Sequence, residues 1–144
     1  GEAPDLARIV SSFVEPYMGD GNEDQGVLMA RFILSHRLEP SDTTRRIVGE
    51  YLNPLARAYV DAFAKAVPGA ETGDLFWRYL LMVSTTILTS TEDRAADRLS
   101  ALSEGRVSVG DRGVARDALV AFAVAGIRNC APVAFVPGTL HRPD

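Results

Sequence analysis

Leu75 to Ser90, LFWRYLLMVSTTILTS, is the stretch whose reading decides the fold. Leu75, Phe76, Tyr79, Leu80, Val83 and Ile87 recur at three- and four-residue intervals, the spacing of one helix face. Trp77, Leu81, Met82 and Leu88 make the other faces apolar as well. A helix wet on one side does not read this way. It must be covered twice, by its own domain and by a second surface. At ~1.5 Å per residue the stretch spans ~24 Å, short of the ~20 apolar residues a bilayer requires. Arg78 and the run Ser84-Thr85-Thr86 also argue against lipid. The second cover is read as another protein chain.

A later helix, Ala115 to Asn129, supports this. Ala115, Ala118, Leu119, Phe122, Ala123, Gly126 and Ile127 continue at three- and four-residue steps, and the Ala and Gly positions let a neighbouring backbone come close. Two copies of each helix would make a four-helix bundle between protomers. Trp77, Leu81 and Leu88 would meet the seven residues of the later stripe there. The same periodicity fits a tightly packed helix pair within one chain.

The chain has 144 residues and 47% apolar residues, the size and composition of one globular domain. Its net charge of −4 provides no footprint for nucleic acid, whose phosphates demand a basic face. Cys130 is the only cysteine, which excludes an intramolecular disulfide and suits a reducing cytoplasm. Neither a signal peptide nor a membrane span is seen. The chain starts at Gly1 and reads as a fragment.

In order, Pro4 to Met18 reads as a helix with the stripe Leu6, Ile9, Val10, Phe13, Val14 and Tyr17, kinked or ended by Pro16 and followed by a Gly19 to Asn22 loop. Asp24 to Leu38 is a second helix, stopped before Pro40. A third, capped by Ser41 or Asp42, runs to about Val67 with a kink expected at Pro54. Thr72 or Asp74 starts the fourth, and Thr91-Glu92-Asp93 caps a short piece reaching Ser103. A glycine-rich loop over 105 to 112 precedes the last helix. No strand pattern is present. The expected fold is all-α, an antiparallel bundle of about five to six helices dimerising through a four-helix bundle. Residues 1–131 form the domain and 132–144, with three prolines, an irregular tail.

Catalytic constellations are lacking. His36 and Glu39 share a helix face, but two ligands without a second pair hold no metal, and His141 lies in the tail. There is no nucleophile elbow and no phosphate loop. Cys130 reads as a structural thiol. What stands out is aromatic and hydroxyl content on inward faces: Phe13, Tyr17, Phe32, Tyr51, Tyr59, Phe63, Phe76 and Tyr79, with Val83, Ser84 and Thr86. For any one of these a plain core role fits, with hydroxyls bonding one turn back. Together with the bend at Pro54 they suit a pocket for a mostly apolar small molecule carrying one or two polar groups. Arg31 and Arg78 are candidate anion anchors, and Arg78 also suits pairing with Asp74.

Four segments carry a family resemblance: Arg31-x-x-x-x-x-Arg37-x-Glu39-Pro40, Tyr59-Val-Asp-Ala-Phe-Ala-Lys-Ala-Val-Pro68, Asp74-Leu-Phe-Trp-Arg78, and Val120-Ala-Phe-Ala-Val-Ala-Gly-Ile-Arg128. Over Arg31 to Asn129 the chain resembles the C-terminal domain of TetR-type transcriptional regulators, most specifically in the spacing from Pro68 to Trp77-Arg78. The resemblance implies a ligand-sensing and dimerising domain of a repressor, controlled by a small apolar or aromatic effector and without a cofactor. It also implies a DNA-binding helix-turn-helix domain upstream, absent from this chain, through which alone DNA would be bound. The competing expectation is a structural dimeric module whose core is simply full.

Overall fold

The computed structural model describes residues 4–18, 23–92 and 95–129. Its elements are α1 (Leu6–Met18), α2 (Glu23–Leu38), α3 (Asp42–Ile47), a π turn (Val48–Leu52), α4 (Asn53–Ala66), α5 (Thr72–Ser90), α6 (Arg98–Leu102) and α7 (Arg112–Asn129). None of the described residues lies in a strand. The chain is all-α, as expected. The tail, Cys130, His141 and the Gly19 to Asn22 loop fall outside the described residues.

The hub is α1 and not, as the opening stretch suggests, α5. Leu6, Val10, Phe13, Val14 and Tyr17 are buried because α2, α4, α5 and α7 all pack around α1. Phe63 of α4, Leu75, Met82, Val83 and Ile87 of α5, and Leu119, Ala123 and Ile127 of α7 complete one core. Buried arginines pin this arrangement. Arg112 Nη2 donates to the Tyr17 carbonyl (2.8 Å) and Arg78 Nη1 to the Ile127 carbonyl (2.6 Å). Each cation sits at the C-terminal end of a helix, where carbonyls lack intrahelical partners and the dipole is negative. Arg78 is thus used by the fold.

The third helix of the sequence reading is interrupted as Pro54 requires, and the interruption has a definite form. Pro54 has no N–H for Glu50, and its ring would strike the carbonyl four residues back. The chain widens into the π turn, where the Asn53 N–H reaches the Val48 carbonyl, and α4 starts afresh with Pro54 in its first turn. Ser41 caps α3 in a reciprocal box with Thr44. No residue of α3 or of the π turn is buried, so this arm stands off the core. The short helix α6 begins only at Arg98, behind Asp97 as its cap, and not at Thr91. Among the described residues, no helix is long and apolar enough to cross a membrane.

The stripe of α7 is divided. At ~100° per residue, Ala118 through Ile127 wind over roughly half of the helix surface. One edge, Leu119, Ala123 and Ile127, is buried within the protomer. The other edge, Ala118, Phe122 and Gly126, is exposed, and Ala115 is half-buried between core and surface. Phe122 is 66% exposed. The outward face of α5 matches it, with Trp77, Leu81 and Leu88 all exposed.

Candidate functional site

Where the α3–π–α4 arm stands away from α1 and α2, a cleft opens. An outer chamber of about 780 Å³ is lined by Ser12, Phe13, Glu15, Pro16, Tyr17, Gln25, Gly26, Met29, Leu52, Leu55 and Tyr59. An inner chamber of about 310 Å³ lies between Phe13, Tyr17, Ile33, His36, Arg37, Leu52, Tyr79 and Val83. A side chamber of about 640 Å³ is lined by Gln25, Leu28, Met29, Phe32, Ile47, Tyr51 and Leu52. Leu52, the last residue of the π turn, touches all three. The widened turn therefore sets the side chain around which the cleft is arranged.

The wall between outer and inner chambers is aromatic. Phe13 meets Tyr59 edge-on (centroids 5.4 Å, 88°) and Tyr79 likewise (6.2 Å, 75°), while Tyr59 stacks on Tyr79 (6.3 Å, 28°). Tyr17 leans on Phe13 at 5.5 Å. Such offset and T-shaped contacts favour fixed rings, with edges and faces in complementary places. The Tyr59 hydroxyl lies 3.2 Å from Ser12 Oγ. Pro16 adds a further polar feature: without its N–H, the Ser12 carbonyl has no partner one turn on, and both residues line the outer chamber.

At the inner end, Arg37 Nη1 donates to Ser84 Oγ (3.1 Å), joining α2 to α5, and His36 Nδ1 lies 3.0 Å from Thr44 Oγ1 of α3. Burial is the main reason the Tyr79 hydroxyl is pushed up to about 12; the neighbouring Tyr17 and Tyr59 add to this and Arg37 opposes it. Burial, then Tyr59, raises Tyr17 as well. Both remain neutral donors at physiological pH. Below pH ~10 they are protonated in folded and unfolded chains alike; above it the unfolded chain ionises first. Stability should therefore fall as pH rises from ~10 towards about 12. In an alkaline titration followed by tyrosinate absorbance, Tyr79→Phe should remove the last group to ionise. A folded protein whose tyrosines all titrate together near pH ~10 would contradict this burial.

The sequence-derived ligand residues are distributed as follows. Phe13 and Tyr17 line both the outer and inner chambers, Tyr59 the outer, and Tyr79 and Val83 the inner. Phe32 and Tyr51 line the side chamber, Tyr51 with most of its ring exposed. Ser84 enters indirectly, as the tether of Arg37. Phe63 lies beneath Tyr59 (6.4 Å) in the core, and Thr86 is buried there too, away from the linings of the three chambers. Phe76 is 46% exposed and belongs to no chamber wall. Arg31 is exposed and lines none of them. Gln25, Met29, His36 and Arg37 line the cleft without a periodic mark in the sequence, whereas Leu52 and Leu55 fall on the same three- and four-residue stripe as Tyr59 and Phe63. The available signal was on α2, whose apolar residues Leu28, Met29, Phe32 and Ile33 spread round the helix and leave some facing outward.

Among the described residues, no three of His, Cys, Asp and Glu are placed to hold a metal. Comparison with curated proteins and with solved structures returned no match. A family model described as "Tetracyclin repressor-like, C-terminal domain" matches residues 11–126, a span that includes both the cleft and the outward faces of α5 and α7. The chain belongs to this family of C-terminal domains of tetracyclin repressor-like regulators.

Proposed function

We propose that this domain binds a small, mostly apolar or aromatic effector in the cleft and forms a homodimer through the outward faces of α5 and α7. The effector would favour one arrangement of the dimer and so control DNA binding by a separate helix-turn-helix domain. Only a difference in affinity between two arrangements can shift their balance. Family membership supports a regulator's effector-binding and dimerisation domain. The observation that carries the reading is the aromatic wall with its neutral hydroxyls and the Ser12 carbonyl. It gives an apolar cleft a few fixed polar groups, the usual make-up of a ligand site. Catalysis has no support in this set of side chains.

The test is a thermal-shift screen of aromatic and lipid-like compounds on the intact chain. A ligand at ~100 times its Kd adds ~2.7 kcal/mol, a shift readily seen in a melting curve. Val83→Trp fills the inner chamber and should abolish that shift. Leu52→Trp, at a half-exposed position, serves where the first variant folds poorly. Hits whose shift persists in both variants would place binding elsewhere. The absence of any hit would favour the structural-module reading, in which the outward apolar faces of α5 and α7 are the functional surface.

A further inference from the structure

The inner chamber is electrically lopsided, and this narrows the effector's chemistry. Its lining holds Arg37 and His36 and contains neither Asp nor Glu. Among the described residues, no carboxylate pairs with Arg37; its Nη1 donates to the neutral Ser84 hydroxyl at 3.1 Å. That bond ties the guanidinium between α2 and α5 and leaves most of its five N–H donors for something else. A fork already held in place loses less freedom when it takes up a planar anion.

Resting on the effector reading above, we propose that the ligand is an aromatic carboxylate, its carboxylate taken by Arg37 in the inner chamber and its ring lying against Phe13 and Tyr79. Three observations support the ring and its direction. At about 310 Å³ the inner chamber lies at the small end of ligand pockets, which run ~300–1,000 Å³, so it suits a one- or two-ring acid better than a long chain. Phe13 and Tyr79 are set edge-to-face, and their rings offer complementary surfaces to a third ring. The outer chamber differs: its lining holds no cation, and Ser12, Glu15 and Gln25 supply hydrogen-bond acceptors there. The acid group therefore lies at Arg37, and a hydroxyl or N–H on the far side of the ring meets the acceptors. A cationic ligand is disfavoured, because the one carboxylate in the two linings, Glu15, already lies 3.9 Å from Arg116, and the inner chamber is lined by Arg37.

The experiment titrates the intact chain with 2-naphthoate, indole-3-acetate and 4-hydroxybenzoate, each beside its primary amide, by calorimetry and thermal shift. The amide keeps shape and apolar area and removes the charge. At least one acid should bind about tenfold or more tighter than its amide, the scale on which charge-assisted pairs exceed neutral ones. In Arg37→Gln this preference should vanish while the amide binds as before. Ser84→Ala releases the tether and keeps the charge, so it should weaken the acid but leave it ahead of the amide. Equal binding of acid and amide, an undiminished preference in Arg37→Gln, or no acid binding at all would overturn the proposal. If acids fail while neutral compounds bind and are displaced by Val83→Trp, the carboxylate inference falls and the effector cleft stands. If no compound of any charge binds, both fall together.

Discussion

Placing a carboxylate on the outward apolar face, as Phe122→Asp or Leu81→Asp, is expected to convert a dimer into a monomer. Phe122 is 66% and Leu81 54% exposed in the single chain, and Trp77 and Leu88 of α5 are exposed as well. Large apolar side chains exposed on two helices that pack together suit an interface better than solvent. Both substitutions leave the protomer intact, because neither side chain belongs to its core. Removing a central aromatic anchor typically costs ~2 kcal/mol or more, about thirtyfold in association, and a charge in its place adds a desolvation cost. Light scattering over a micromolar concentration series provides the measurement. Gly126→Leu should act in the same direction through bulk, since a Cβ there meets nothing in the single chain and any obstruction must come from the partner. By contrast, Leu119→Ala should leave the oligomeric state alone and lower stability by ~2–5 kcal/mol, as truncation of a buried leucine does. A wild-type monomer mass at tens of micromolar, or a dimer indifferent to Phe122→Asp, would remove α7 from the interface.

Gly26→Ala should be among the most damaging single-methyl changes in this chain. Gly26 of α2 crosses α1 where a Cβ would overlap the Pro16 carbonyl oxygen and lie 3.0 Å from Tyr17 Cα. These are backbone atoms and cannot turn aside as a side-chain tip does. The helices must separate, and overpacking of this kind costs ~1–3 kcal/mol, more than the ~1 kcal/mol that alanine gains over glycine inside a helix. For a domain near this size each kcal/mol moves Tm by ~2–4 °C. Gly73→Ala is the control. It lies in the first turn of α5 with nothing within 4 Å of a Cβ, so the propensity gain should appear unopposed. Because Gly26 also lines the outer chamber, prying α1 from α2 should weaken effector binding as well as stability. A melting temperature at or above wild type for Gly26→Ala would mean that α1 and α2 are less closely apposed than described.

The helices are legible in the sequence wherever burial is one-sided. The α1 stripe from Leu6 to Tyr17 reads directly, since every apolar position there faces the same neighbours. Pro54 is legible as an interruption, but the wide hydrogen bond from Asn53 to Val48 is one of several ways to absorb a missing N–H, and only packing selects it. The division of the α7 stripe is not legible. Leu119 and Phe122 are equally apolar and one turn apart, and which of them is covered depends on where α1 lies. Arg78 and Arg112 show the same limit, because a buried arginine resembles a surface one until the carbonyl that it serves is known. The candidate cleft is the least legible part. Its wall combines the periodic apolar residues of α1 and Leu52 with Arg37, which carries no such mark, and they line one chamber because the arm stands off the core.

The helix that lines the cleft, α1, also packs along α7, and Glu15 of the cleft lies 3.9 Å from Arg116 of α7, so cleft and outward face are only one helix apart. If association runs through the far side of α7, effector saturation and subunit concentration become two handles on one equilibrium. Reciprocity then requires that whatever tightening the effector produces between protomers, assembly returns in equal measure as affinity for the effector. A cell holding few copies of such a protein would read its chemical signal with a different threshold from a cell holding many.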